Sequence, residues 1–189
     1  LQDKAVRDQH YQLASEQVGK RDAQEARDGV HLRAAHWALH DHDAAAALKR
    51  LDELPVGTGR RTLALRLRLR AARMARRTGV ALETARLLAK HGAFSAPAAQ
   101  GVLRSQALEL IAAAHDESQL RKAWDQLEES EQTMPEVATA AAERALLMDA
   151  DVSLSRLWLL PVWERMLGDP AAVSPAQRAR STWESVAAE

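Results

Sequence analysis

The sequence has no cysteine and, among its 189 residues, only one tyrosine and one phenylalanine. Without cysteine the chain has no disulfide framework, no zinc ribbon and no thiol nucleophile, which fits a reducing compartment. Strands are usually rich in aromatic and β-branched residues, whereas this chain is rich in alanine, leucine, arginine and glutamate. The composition therefore predicts an all-α fold.

Long hydrophobic runs are also missing. The longest apolar stretches, such as 44–48 and 157–162, are far shorter than the roughly 18 to 20 residues that cross a bilayer. The chain begins at Leu1 and has no basic-then-apolar leader. We therefore expect no membrane span and no signal peptide within it, and we expect it to be a piece of a longer chain.

The formal net charge is zero, but charge is unevenly distributed along the chain. Residues 1–60 carry nine basic and ten acidic side chains, residues 61–91 carry nine and one, and residues 92–189 carry eight and fifteen. A strongly basic block beside an acidic one indicates partners or packing rather than fold. Any functional hypothesis has to account for this block.

Glycine and proline divide the chain into segments of about 10 to 20 residues, with apolar residues three and four apart. These segments predict about nine antiparallel helices, including terminal helices over 2–19 and 174–189. Leucine alternates with arginine over 63–70, which by itself is the period of a strand. Because the segment continues into helix-favouring residues, we predict one helix over 61–77.

An internal repeat organises these helices. Apolar residues recur at spacings of 38, 38 and 34, and three residues before each of them stands another: Ala47, Ala85, Ala123 and Leu157, preceded by Ala44, Leu82, Leu120 and Leu154. We predict helical hairpins over 22–55, 61–92, 96–135 and 136–168 in a single domain, 1–189. A period near 34 to 38 is typical of a tetratricopeptide-like right-handed superhelix. A compact bundle of helical hairpins remains the alternative.

Motifs for catalysis are missing. No serine lies in a Gly-x-Ser-x-Gly elbow. Gly57 and Gly59 could present backbone N–H groups to a phosphate, but the segment lacks the lysine of a P-loop and the third glycine of a dinucleotide site. We predict a turn between two helices there, and a protein that is not an enzyme.

Two histidines have the spacing of helical metal ligands. His36 and His40 are four residues apart, so both imidazoles share one face of a helix and could bind one metal or haem iron. Neither a third ligand nor the glutamate of hydrolytic zinc motifs accompanies them. Solvated or helix-end histidines are the alternative, and we predict no obligatory cofactor.

The basic block predicts a binding surface. At about 100° per residue, Arg66, Arg70, Arg73 and Arg77 fall within roughly 60° of one another on the predicted helix. We expect apolar neighbours to bury the other sides of that helix, Leu63 and Met74 among them. Arginine binds carboxylates and phosphates through paired hydrogen bonds, so an anionic ligand or an acidic protein segment fits such a groove.

Other interpretations of the arginines stay open. The acidic C-terminal part of the chain, or solvent, could satisfy them. Anionic membrane headgroups also attract a basic helix. Nucleic acid is not expected, because the basic block lacks aromatic side chains for stacking and the chain as a whole is neutral.

Four stretches of the sequence resemble the HemY family of proteobacterial proteins: HWAL at 36–39, RRTLALRL at 60–67, TARLLAKHGAFS at 84–95 and PVWER at 161–165. The resemblance extends over roughly 20–167. It implies a tetratricopeptide-containing protein of the inner membrane, anchored by two N-terminal transmembrane helices and associated with the late steps of haem biosynthesis.

The resemblance also implies a role. A protein of this family would act as a scaffold that contacts haem-pathway enzymes, or that associates with porphyrin. This chain would be the front part of the region behind the membrane anchor, on the cytoplasmic side. The resemblance implies no catalytic residues. Direct haem or porphyrin binding, and docking of the basic helix on the membrane surface, are the alternative functions.

Overall fold

The computed structural model describes residues 3–17, 24–148, 150 and 152–168. Within these residues the chain forms eleven helices and no strand, which confirms the all-α prediction. Nine helices were expected; two of the eleven are single turns of four residues in segments that the apolar periodicity did not mark as helical. The terminal helix predicted over 174–189 lies outside the described residues.

The chain divides into two compact units, Leu1–Ala96 and Pro97–Glu189. The helices of the first unit are α1 Lys4–Gln17, α2 Gln24–His40, α3 Ala44–Asp52, α4 Val56–Gly59, α5 Thr62–Met74 and α6 Thr78–Lys90. Those of the second unit are α7 Ala96–Ala112, α8 Glu117–Asp125, α9 Glu129–Gln132, α10 Pro135–Leu147 and α11 Val152–Gly168.

Alanine-rich faces form the core of the first unit. Helix α2 packs against α1, α3 and α5, and α5 also packs against α3 and α6. Where α2, α3 and α5 meet, the buried side chains are mostly small: Ala35, Ala47, Ala64 and Ala71, with Leu39, Leu48, Leu51, Leu54 and Leu67 around them. Because alanine adds little bulk, such faces allow neighbouring helices to pack closely.

Three helix ends in the first unit share one capping geometry. His42, Arg76 and Gly92 adopt positive φ values of 59°, 52° and 65° just after α2, α5 and α6. In each case the following amide donates to a carbonyl five residues earlier, for example Arg77 N–H to Ala72 O at 2.9 Å. This is the Schellman arrangement, which ends a helix and reverses the chain. Two of the three positions are occupied by residues other than glycine.

The core of the second unit contains a tryptophan pair. Trp124 and Trp158 stack with ring centroids 4.8 Å apart. Helix α10 packs against α8, α9 and α11, with Ala138 and Ala142 against Leu159 and Val162. Proline at the first position of α10 suits a helix start, because its missing N–H would have no partner there.

Of the two predicted repeat positions in each hairpin, the second is buried in the first three hairpins but not in the fourth. Ala47, Ala85 and Ala123 are 0 to 5% exposed, whereas Leu157 is 64% exposed and the next residue, Trp158, is buried. The expectation of a buried residue at 157 is therefore wrong, although Leu154, three residues earlier, is buried. The buried side chain next to it is the tryptophan that stacks on Trp124.

A buried carboxylate joins α2 to the single turn α4. Asp28 is buried, and it accepts hydrogen bonds from the hydroxyl of Thr58 and from Gln24 Nε2 at 2.7 Å. Burial alone would raise the pKa of Asp28; the two hydrogen bonds, together with the nearby charges of His31 and Arg61, outweigh it and hold the pKa below its usual value. Thr58 thus serves packing, in agreement with the turn predicted between the two glycines.

Asp28 should make the stability of the fold depend on pH, and its replacement should remove this contribution. Since Asp28 has a lower pKa in the folded than in the unfolded chain, its ionised form stabilises the fold above the unfolded-state pKa, and this contribution disappears as pH falls through the folded-state value. We expect Asp28→Asn to lower the free energy of unfolding at pH 7 by about 1–2 kcal/mol.

Urea denaturation at a series of pH values measures this difference. The gap between wild type and Asp28→Asn should narrow below about pH 4. Glu25→Gln, an exposed change in the same helix, is the matched control and should show no such gap. A gap for Asp28→Asn that stays constant down to pH 2 would contradict the assignment.

Candidate functional site

Three of the four predicted arginines lie on one exposed face of α5. Arg66, Arg70 and Arg73 are all exposed and fall within about 60° around the helix. The opposite face carries Ala64, Ala71 and Ala72, which are 0 to 1% exposed. Helix propensity is high in this segment of leucine, arginine and alanine, so α5 is a straight support for the row of guanidinium groups.

The fourth arginine lies beyond the helix. The prediction of one helix over 61–77 was too long, because α5 ends at Met74 and the chain reverses at Arg76. Arg77 precedes the first residue of α6 and is exposed. We call Arg66, Arg70, Arg73 and Arg77 the basic surface, with three members on the helix and one in the turn that follows it.

Exposed apolar side chains flank the helical arginines. We expected Leu63 and Met74 to be buried beside the arginines, but they are 58% and 36% exposed. On a helical projection both fall at the edge of the arginine face, next to Arg70. This prediction was wrong because the contacts of α5 with α2, α3 and α6 are made by another side of the helix, where Ala64, Leu65, Leu67, Ala71 and Ala72 are buried. The face that remains is basic with an apolar margin.

Acidic side chains are absent from the sequence around this surface. Residues 54–82 contain eight arginines and no aspartate or glutamate. Seven of the eight are exposed. Arg66 donates to the carbonyl of Ala93 at 3.3 Å, a bond that leaves its positive charge without a carboxylate. The surface therefore presents a local excess of positive charge to solvent.

The eighth arginine has a structural role that the sequence pattern did not separate from the others. Arg68 lies on the buried side of α5, and its guanidinium reaches the end of α3, donating to Asp52 Oδ1 at 2.6 Å and to Leu51 O at 2.9 Å. Since the last carbonyls of a helix have no partner within it, Arg68 caps α3 from the next hairpin. In the sequence, Arg68 is distinguished only by its position two residues from Arg66 and Arg70, which places it on a different side of the helix.

The two histidines remain apart from any third ligand. His36 and His40 are exposed on α2, and His40 Nδ1 lies 3.5 Å from Asp41 Oδ1. Within the described part of the chain, no three histidine, cysteine, aspartate or glutamate side chains come together as a metal-binding group. The pair could at most offer two ligands from one helix face, open to solvent.

A cavity of about 350 Å³ lies between α1 and the α2–α3 hairpin. Three of its charged lining groups have ionic partners: Lys4 Nζ is 3.8 Å from Asp43 Oδ2, and Asp41 binds the buried Arg7. The hydrogen bond from Arg7 lowers the pKa of Asp41. The basic surface, with its excess of one sign of charge, is the stronger candidate site.

No helix in the described ranges is both long enough and apolar enough to cross a membrane. Comparisons with protein families, with curated proteins and with solved structures found no match to this chain. The basic surface is therefore the feature that bears on function.

The two classes of arginine on α5 should differ in their effect on stability. Arg68→Met removes the donor to Leu51 O and the ion pair with Asp52, so we expect it to lower the free energy of unfolding by about 1–3 kcal/mol. Arg70→Met, the matched change on the exposed face, should stay within about 0.5 kcal/mol of wild type. Urea denaturation followed by circular dichroism measures both, and equal effects would contradict the assignment.

The turn that separates Arg77 from α5 should be strained at Arg76. A left-handed backbone destabilises a residue with a side chain by about 1–2 kcal/mol. Replacing it with glycine removes this strain, but the greater freedom of glycine in the unfolded chain offsets about 0.4–1 kcal/mol of the gain. Arg76→Gly should therefore raise the free energy of unfolding by about 0.5–1 kcal/mol.

The neighbouring residue supplies the control for Arg76→Gly. Arg77→Gly removes the same charge at a φ of −85°, where glycine gains nothing, and it should lower stability. Thermal unfolding of the two variants is the measurement. A decrease in melting temperature for Arg76→Gly would show that its side chain contributes more than the strain costs.

Proposed function

We propose that this protein is a non-catalytic helical-repeat scaffold whose basic surface binds an acidic segment of a partner protein. The observation that carries the proposal is the row of exposed arginines on α5, within 29 residues that contain no acidic side chain. Exposed guanidinium groups on a rigid helix are suited to carboxylates, because each can form two parallel hydrogen bonds. Porphyrin carboxylates are a second ligand of the same chemistry.

The packing of the first unit supports a tetratricopeptide-like superhelix. In a stack of helical hairpins, the first helix of each hairpin contacts its own second helix and the first helix of the next hairpin. Helix α2 packs in this way against α3 and α5, and α3 packs against α5, which in turn packs against α6. In such a stack α2 and α5 line the concave groove, and the basic surface would face that groove.

The partner class follows from the family resemblance. Similarity to the HemY family favours enzymes of late haem biosynthesis as partners, and it favours a position on the cytoplasmic side of the inner membrane through an anchor elsewhere in a longer chain. The exposed Leu63 and Met74 at the edge of the basic surface suggest that the acidic segment also carries apolar side chains.

Charge reversal on the basic surface tests the proposal. We expect Arg66→Glu combined with Arg70→Glu to reduce capture of late haem-pathway enzymes at least about tenfold, since attraction becomes repulsion at the centre of the contact. Pull-down of purified enzymes with the immobilised chain is the measurement. Circular dichroism should show unchanged helix content, because both side chains are exposed.

A control with the same charge change is available in the same unit. Arg33 and Lys49 are exposed on α2 and α3, and reversing both to glutamate changes the net charge equally. This variant should retain capture. Equal capture by wild type and by the Arg66→Glu, Arg70→Glu variant would show that the basic surface is not the binding site.

A further inference from the structure

The cavity between α1 and the α2–α3 hairpin combines apolar side chains with charged ones. Ala34, Trp37 and Ala38 are three and four residues apart and share one face of α2, and Ala46 adds to them from α3. Tyr11, the only tyrosine of the chain, lines the cavity from α1. The volume of about 350 Å³ lies at the lower end of the roughly 300 to 1,000 Å³ of ligand pockets, so the cavity fits a small molecule.

Two residues of opposite charge line this cavity without pairing with each other. The guanidinium of Arg50 lies over the ring of Tyr11, with Cζ 4.3 Å from the ring centroid, and Arg50 also donates to Glu53 at 3.3 Å. Asp8 precedes Tyr11 by three residues and shares its face of α1. Within the described part of the chain, the side chain of Asp8 has no hydrogen bond or ion pair. An unpaired carboxylate therefore lines the same cavity as a guanidinium, about one helical turn from the ring on which that guanidinium lies.

We propose that this cavity binds a small zwitterion with an apolar side chain, of the class of the α-amino acids. The ammonium group of the ligand pairs with Asp8, its carboxylate pairs with Arg50, and its side chain packs against Trp37 and the alanines. A ligand with only one charge gains one of these pairs and meets a like charge at the other, so the two residues select a molecule that carries both charges. Both pairs are charge-assisted, which makes each of them stronger than a hydrogen bond between neutral groups.

Binding in this cavity also joins α1 to the rest of the first unit. Helix α1 packs against α2, and ion pairs from Lys4 and Arg7 connect it to the turn between α2 and α3. A ligand held by Asp8 on one side and by Arg50 on the other adds a link between α1 and α3. Because a ligand stabilises the arrangement that it binds, α1 should open less often when the cavity is occupied.

Calorimetric titration of the full chain with L-phenylalanine and with L-leucine tests the inference. Phenethylamine lacks the carboxylate and 3-phenylpropionate lacks the ammonium group, so each should bind at least about tenfold more weakly than L-phenylalanine, because one charge-assisted pair is lost. Glycine keeps both charges but has no apolar side chain, and it should also bind more weakly. If neither amino acid binds at up to about 10 mM, or if either single-charge analogue binds as tightly as L-phenylalanine, the inference is overturned.

Two variants assign each charge of the ligand to its partner. Asp8→Asn should weaken binding of L-phenylalanine about tenfold without weakening that of 3-phenylpropionate, which has no ammonium group. Arg50→Met should weaken binding of L-phenylalanine by a similar factor without weakening that of phenethylamine, which has no carboxylate. A variant that weakens every probe equally would show a general disturbance of the cavity and would contradict the assignment.

Matched controls and a second measurement complete the test. Glu25→Gln and Arg33→Met are exposed changes on α2 outside the cavity, and both should bind L-phenylalanine like wild type. The variant with Arg66→Glu and Arg70→Glu should do so as well, so loss of partner capture and loss of amino-acid binding are separate results. Amide hydrogen exchange over 4–17 should slow in L-phenylalanine but not in glycine at the same concentration. Unchanged exchange in saturating L-phenylalanine would contradict a site that includes α1.

Discussion

The close packing of alanine faces is the constraint on which the first unit depends. Ala35 of α2, Ala47 of α3 and Ala64 and Ala71 of α5 are at most 1% exposed where these helices meet. Since alanine fills little space, the helices reach native density only by lying close together, and a larger side chain at any of these positions would have to displace a neighbouring helix. Helix α5 thereby uses one face entirely for packing. Its arginines are left on the face that no helix covers.

Helix phase decides what each arginine of α5 does. Arg66 and Arg70 point to solvent, whereas Arg68, between them in sequence, lies on the packed side and reaches Leu51 O and Asp52. There a long side chain is tolerated because its guanidinium reaches the carbonyl of Leu51 and the carboxylate of Asp52 at the end of α3. One residue type thus joins two hairpins and also forms the exposed basic surface.

Sequence periodicity predicted the helices, and which side of each helix is exposed, where apolar spacing and amino-acid composition indicate the same structure. The all-α class and the helical reading of the alternating leucines followed from composition and three-to-four spacing, and so did the exposure of the arginines. The end of α5 could not be predicted in this way, because Arg76 adopts a left-handed conformation that usually belongs to glycine, and the nearby Gly79 lies inside α6. The burial of Trp158 instead of Leu157 and the bond from Thr58 to Asp28 depend on contacts between segments distant in sequence, which periodicity does not contain.

For the proposed binding, the fixed spacing of the arginines on α5 matters more than the strength of any single ion pair. An exposed ion pair contributes little, because it loses side-chain entropy and is screened by salt. Arg66, Arg70 and Arg73 are spaced by four and three residues on a helix whose opposite face is packed, so their backbone positions are fixed about 5–6 Å apart while their long side chains can still adjust. The proposed acidic segment would gain most if its carboxylates repeat at a similar distance. Packing of the opposite face of α5 thus limits which spacing of carboxylates the proposed site would favour.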